Sequence, residues 1–202
     1  MKIIAVGRNY VAHIEELKND VPTEPVIFTK PDTAVLRGNE PFYYPSFSSS
    51  IHHELEVVLK INKVGKNIEE KFAHKYYDEI GLGIDFTARD IQSRLKEKGL
   101  PWDLAKGFNG SAPISDFVSK ENFDLSNMNF DLKVNNELRQ EGNTGLMIYT
   151  FDYLVSFVSK YFTLKTGDLL FTGTPAGVAE VKIGDRLQAS LEGNVMLDFE
   201  VK

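Results

Sequence analysis

Two stretches in the second half of the chain restrict the fold more than any others. "FDLKVNNELRQEG", residues 130–142, and "DRLQASLEGNVMLDFEV", residues 185–201, both alternate apolar and polar residues about a short polar turn. Alternate residues of a strand face the same way, so each stretch predicts a β-hairpin with one buried face, turning at Asn135-Asn136 and at Gly193-Asn194.

The first half is more broken. A short strand, Lys2 to Val6, leads through Gly7 into "NYVAHIEEL", where Tyr10, Ile14 and Leu17 recur at helical spacing. Pro22, Pro25, Pro31, Pro41 and Pro45 interrupt the next segment, which has room only for short strands such as "VIFTK". A strand follows at Ile51–Ile61, then a helical stretch over roughly Ile68–Tyr77 and an apolar run, "EIGLGIDF". In "TARDIQSRLKEKGLP", Thr87 and Asp90 resemble a capping box, Ala88, Ile91 and Leu95 form the apolar stripe, and Gly99 with Pro101 ends the helix. A further helix is expected over about Tyr149–Tyr161. With no repeat, low-complexity tract or linker, the expectation is one β-rich mixed α+β domain over residues 1–202.

Composition narrows the chemistry. There is no cysteine, which removes disulfides, thiolate nucleophiles and zinc-thiolate sites, so any metal must bind oxygen or imidazole. The net charge is -6 and lysines and arginines form no stripe, which argues against nucleic acid or an anionic membrane as partner and for a small molecule. No apolar run is long enough for a membrane span, and the N-terminus has no secretory pattern, giving an intracellular, cytoplasmic expectation.

"IHHELEVVLKI", residues 51–61, carries the sharpest local signal. Glu54 and Glu56 project from one face of a strand whose remainder reads as core, and Asp85 ends another apolar run. Carboxylates on one face repel unless a positive group lies between them. The ordinary explanation is a solvated edge strand; the alternative is a hard oxygen site suited to Mg²⁺ or Mn²⁺, with Ca²⁺ disfavoured because it wants more ligands. A zinc-protease His-Glu-x-x-His pattern starting at His53 fails at Val57, and His52 and His53 face opposite ways on a strand. "GLGIDF" lacks the third glycine of a dinucleotide loop, and neither a P-loop nor Gly-x-Ser-x-Gly occurs.

"GRNYVAHIEEL", "HHELEVVL", "GIDFTARDIQ", "KGLPWDLAKGFNGSAPIS", "VNNELRQEGNT" and "LLFTGTPAGV" follow one another as in the fumarylacetoacetate hydrolase superfamily. Over essentially the whole chain the sequence resembles the short acylpyruvate hydrolase and oxaloacetate decarboxylase branch, without the N-terminal extra domain of the longer members. The resemblance implies a mixed-sheet β-roll, a homodimer, and Glu54, Glu56 and Asp85 as ligands of Mg²⁺. It implies Lys106 beside the metal, Arg89 and Gln92 on the substrate's carboxylate and keto oxygens, and Thr174 as a further substrate contact. His13 and Glu16 correspond to a pair on a mobile lid that orients and deprotonates water. The implied reaction is hydrolysis of a carbon-carbon bond in an acylpyruvate, a 2,4-dioxo acid, through a pyruvate enolate. Decarboxylation or keto-enol tautomerisation of oxaloacetate at the same site is the alternative, and a catalytically silent metal-stabilised binding domain is the alternative of another class. Asn109 departs from the aspartate common after the Phe of the lysine motif, which weakens carry-over of substrate identity.

Overall fold

The computed structural model describes residues 1–16 and 22–202, so Leu17 of the first helical pattern lies outside them. The first half forms β1 (Ile3–Gly7), α1 (Val11–Glu16), β2 (Val26–Lys30), β3 (Val35–Leu36), β4 (Ile51–His53), β5 (Leu55–Ile61), α2 (Glu70–Ala73), β6 (Tyr77–Ile84), β7 (Thr87–Ala88) and α3 (Arg89–Glu97). The second half forms α4 (Asp103–Lys106), β8 (Ala112–Pro113), β9 (Val118–Ser119), β10 (Asn129–Val134), β11 (Glu137–Asn143), α5 (Phe151–Tyr161), β12 (Leu169–Phe171), β13 (Ala179–Glu180), β14 (Arg186–Leu191) and β15 (Asn194–Glu200). The fold is mixed α+β and rich in sheet, as the patterning predicts.

Both hairpins form. Asn135 and Asn136 take left-handed φ values of 53° and 67°, the twist a tight two-residue turn needs. The second hairpin turns one residue earlier than expected, at Glu192 and Gly193 (φ 48° and 76°), because a register shift at Ala189/Ser190 moves its tip. These strands make a four-stranded sheet, β11-β10-β14-β15.

The larger sheet runs β2-β1-β12-β5-β6-β9, with β1 and β12 parallel and the other pairs antiparallel. β5 lies in its interior, which accounts for the apolar "VVL". Leu55, Val57, Leu59 and Ile61 enter the main core with Leu132, Val158 and Leu187, while Val58 packs with Ile3, Ala5 and Phe171 in a smaller cluster.

The predicted strand at Ile51–Ile61 is broken at Glu54. β4 pairs with β13 and β7, whereas β5 pairs with β12 and β6. Helix ends also differ from expectation. The stretch at 68–77 shortens to α2 because the Ile68 backbone is taken by Ser159 and Ser156 of α5, and Tyr77 pairs with Ile61 in the sheet. α5 starts at Phe151, where Thr150 accepts from the Tyr153 N–H at 3.2 Å. The Thr87–Asp90 capping box does not form: Thr87 is in β7, and Asp90 accepts from Ser48 Oγ (2.6 Å) and Ser49 N–H (3.1 Å) instead. α3 does stop at Gly99, whose φ of 62° a side chain would resist.

Candidate metal and substrate site

The break in the β4–β5 strand builds the site. Leu55 pairs with Ile84 on one side of the bend and His52 with Thr87 on the other, so Glu54 and Asp85 sit opposite each other where both chains turn. The Asp85 N–H donates to the Glu54 carbonyl at 2.8 Å, fixing the bend. Glu56 lies opposite Gly83, and its Oε2 accepts from the Gly173 N–H at 2.6 Å. Only glycine serves at 173, where φ is 104° and a Cβ would stand 2.6 Å from that of Asn9. Carboxylate oxygens of Glu54, Glu56 and Asp85 all lie within 4.8 Å of one another, and all three residues are buried. A solvated edge strand is thereby excluded.

Cations pack against this cluster. Lys106 Nζ, at the end of α4, donates to Glu54 (2.9 Å), Asp85 (2.6 Å) and Thr87 Oγ1 (2.6 Å), and stands 4.9 Å from the centre of the Phe28 ring. Arg89 donates from Nη2 to Glu54 and from Nη1 to Gln92 Oε1 (2.6 Å), while its buried Nε has no acceptor among the described residues. Lys30, at the end of β2, was not among the predicted site residues. Its Nζ is 2.6 Å from Asp85 Oδ1, off the line of a hydrogen bond, and donates to the carbonyls of Lys106 (2.5 Å) and Ser111 (3.0 Å) and to Ser111 Oγ (3.0 Å). The only hint in the sequence is that Lys30 shares strand parity with Phe28; a lysine is otherwise expected at the surface.

Burial opposes ionisation throughout, and the neighbours decide the outcome. Glu54 is held well below the usual carboxylate range because Lys106 and Arg89 outweigh its desolvation. Lys106 is raised, since Asp85 and Glu54 overcome burial, whereas burial dominates at Lys30 and lowers it. Glu56 goes the other way: burial, then Asp85, push its carboxyl well up, with only the Gly173 N–H as a strong counterweight. Glu56 and the poorly satisfied Asp85 Oδ1 are what a hard divalent cation would neutralise, so the donor set fits one.

That arrangement predicts a pH-dependent metal effect. A carboxyl raised in the folded state keeps a proton that the unfolded chain releases above about pH 4.5, so its contribution to stability is lost as pH rises through the folded pKa. A cation must displace that proton. Mg²⁺ or Mn²⁺ at fixed concentration is therefore expected to raise the melting temperature more at pH 8 than at pH 5.5, and Glu56→Gln to remove most of the shift. Equal shifts at both pH values would contradict the assignment.

α1 brings His13 to the same cleft. His13 is buried, its Nδ1 is 3.4 Å from Glu16 Oε2, and both Glu16 oxygens face the Gly177 N–H at 3.1 and 3.2 Å. Glu16 is partly exposed. Burial lowers the His13 pKa despite Glu54 and Glu16, leaving the imidazole neutral at pH 7. His13, Glu54, Arg89, Gln92 and Lys106 line one narrow cleft of about 40 Å³, with Arg8, Lys96 and Trp102 at its wall. Burial and then Arg8 and Arg89 lower Lys96, so the cleft wall is crowded with positive charge and suits an anion.

Thr174 is buried one residue beyond the Gly173 that meets Glu56 and accepts from Gln140 Nε2 at 2.8 Å. Gln140 was missed too, hidden among the exposed positions of a hairpin. His52 and His53 stay out of the carboxylate cluster: His52 is driven down to about 4 by burial and then Arg89, and His53 turns to Gln140. Asn109 is exposed.

A family profile described as "Fumarylacetoacetate (FAA) hydrolase C-terminal" matches residues 2–202. The chain is 45% identical over 201 residues to the mitochondrial oxaloacetate tautomerase FAHD1 of Bos taurus, covering 99% of this chain and 91% of that protein. It is 42% identical over 194 residues to the mitochondrial oxaloacetate decarboxylase of Dictyostelium discoideum, covering 95% and 89%. Among solved structures, the fumarylpyruvate hydrolase from Pseudomonas aeruginosa in complex with Mn²⁺ and pyruvate superimposes with a TM-score of 0.94 at 35% identity, covering all of this chain and 89% of that one.

Proposed function

Since the chain belongs to the fumarylacetoacetate hydrolase family, we propose that it is a divalent-metal-dependent enzyme, one catalytic unit over residues 1–202, that interconverts the keto and enol forms of oxaloacetate. The observation that carries this reading is charge. With all six groups ionised, as metal binding requires of Glu56, the buried carboxylates Glu54, Glu56 and Asp85 equal in number the cations Lys30, Lys106 and Arg89 that pair with Glu54 and Asp85. A divalent cation leaves this set doubly positive, and a dicarboxylate such as oxaloacetate restores neutrality, whereas a monoanionic acylpyruvate does not. The names of the two curated relatives point to the same substrate.

Glu54, Glu56 and Asp85 would hold the cation, Mg²⁺ or Mn²⁺. When bound, it supplies Lewis-acid stabilisation of negative charge developing on the 2-keto oxygen. Arg89, with its spare Nε, and Gln92 hold the adjoining carboxylate. Neutral His13 takes a proton from C3 as the electron pair moves to the keto oxygen; that oxygen takes a proton from solvent to give the enol while His13 releases its own to solvent, and ketonisation runs both transfers in reverse. Lys106, kept protonated by its carboxylates, offers its positive charge to that oxygen. Loss of carbon dioxide from oxaloacetate leads to the same kind of enolate and fits the same residues.

Hydrolysis of an acylpyruvate is the second reading. The pairing of His13 with Glu16 favours it, because a histidine held in one tautomer by a carboxylate can deprotonate water. A silent binding domain is disfavoured by the cost of burying Lys30 and Lys106 for no chemical return. We take a homodimer as the working assembly. The described residues contain no helix long and apolar enough to cross a membrane, and the cytoplasmic expectation competes with the mitochondrial names of both relatives, which cell fractionation decides.

The test uses metal-stripped protein with Mg²⁺ or Mn²⁺ added back. Metal-dependent acceleration of the decay of enol-oxaloacetate absorbance, without matching pyruvate release, is the expected result. Pyruvate with carbon dioxide from oxaloacetate would make it a decarboxylase, and pyruvate with acetate from acetylpyruvate a hydrolase. No turnover of either acid would sink the enzymatic reading.

A further inference from the structure

We propose that Gln140, on β11, is a positioning residue that forces the Thr174 hydroxyl to donate its hydrogen bond toward the substrate. The inference rests on the functional reading above, in which Thr174 meets the keto acid.

Gln140 is buried, and its amide reaches two separate parts of the chain. Oε1 accepts from the Leu55 N–H at 2.9 Å and lies 2.9 Å from His53 Nδ1. Nε2 donates to Thr174 Oγ1 at 2.8 Å and to the Pro175 carbonyl at 3.0 Å. The two backbone groups decide which end is which. Leu55 N–H can only donate and Pro175 O can only accept, so turning the amide over would set N–H against N–H and oxygen against oxygen. With that orientation settled, His53 carries its proton on Nδ1, and the hydrogen-bonding capacity of the amide is fully used.

Thr174 inherits the consequence. Its Oγ1 already accepts from Gln140, and no acceptor for its own proton is found among the described residues. Its O–H therefore points away from Gln140. The preceding Gly173 N–H is bonded to Glu56, so Thr174 follows directly on a residue that touches the carboxylate cluster. A hydroxyl constrained to donate selects an anionic oxygen, a carboxylate or an enolate, over a group that must itself donate. Through Leu55, which sits between Glu54 and Glu56, the same amide also ties the hydroxyl to the strand that carries both carboxylates.

The test is a double-mutant cycle on Thr174→Val and Gln140→Leu, read as kcat for oxaloacetate and as oxalate affinity in the presence of Mg²⁺. Each single substitution is expected to lower kcat by roughly ten-fold or more. The double variant should fall no more than about three-fold below Thr174→Val, because residues acting through one contact are not additive. Thr174→Ser, which keeps the hydroxyl, should stay close to the wild type. Multiplicative losses, or losses in step with melting temperature, would overturn the proposal. Gln140→Glu offers a second variant of the same length, whose oxygen accepts from Thr174 and should turn the hydroxyl inward with a similar loss. If neither Gln140 variant folds, the residue is structural and the proposal falls. If wild-type protein does not turn over oxaloacetate, the functional reading fails separately, and the cycle measured on oxalate affinity still decides the role of Gln140.

Discussion

Replacing Lys30 by Met is expected to cost the fold about 3 kcal/mol, because it removes one of the two buried cations that meet the Asp85 carboxylate and leaves Lys106 alone to compensate it. At roughly 2–4 °C per kcal/mol for a chain of this size, the melting temperature should drop by about 10 °C. Methionine matches the length of the lysine stem, so the loss is electrostatic and not a cavity effect. The Ser111 hydroxyl and the carbonyls of Lys106 and Ser111 would lose a buried donor, and Asp85 Oδ1 the cation it faces. Lys60→Met is the control: its pair with Glu79 is substantially exposed, and such a pair is worth about 1 kcal/mol at most. Thermal denaturation of the two variants side by side checks the prediction. Equal, small shifts would mean that the Lys30 ammonium is not what holds Asp85 in place.

His13→Asn is expected to act almost wholly on the chemistry. Removing a general base costs about 10²–10⁴-fold in turnover, while the affinity for Mg²⁺ or Mn²⁺, held by Glu54, Glu56 and Asp85, should be nearly unchanged. The pH profile supplies an independent check. Burial keeps the folded-state pKa of His13 below 6.5, and the base is active only when neutral, so kcat/KM in the wild type should be flat near pH 7 and fall on the acid side with a midpoint below 6.5. In His13→Asn that acid limb should vanish along with most of the rate. Glu16→Gln should have a smaller effect, since Glu16 meets His13 at only 3.4 Å and its other tie is to the Gly177 backbone. Enol-oxaloacetate decay followed from pH 5 to 8 tests all three proteins; an unchanged profile in His13→Asn would remove it from the mechanism.

Much of this architecture was legible in the sequence, for local reasons. Apolar alternation and left-handed turn residues determined the two hairpins, and the identities of Glu54, Glu56 and Asp85, with no cysteine anywhere, determined that a metal here would meet oxygen. The order of the motifs was enough to indicate the family, and Arg89 and Gln92 share a face because they are three residues apart on a helix.

The remainder was decided by contacts between distant parts of the chain. The strand breaks at Glu54 because the opposing chain bends at Asp85, an agreement that alternation within one strand cannot encode. Lys30 is buried because Asp85 and Ser111 meet it from far along the sequence, and without them the same residue would face water. Gln140 reads locally as one more polar residue of a hairpin, and becomes a fixed amide only when Leu55 and Pro175 arrive on either side. Sequence periodicity reports which way a side chain points, whereas the cost of burying a charge or an amide is offset by partners that only the tertiary fold assembles.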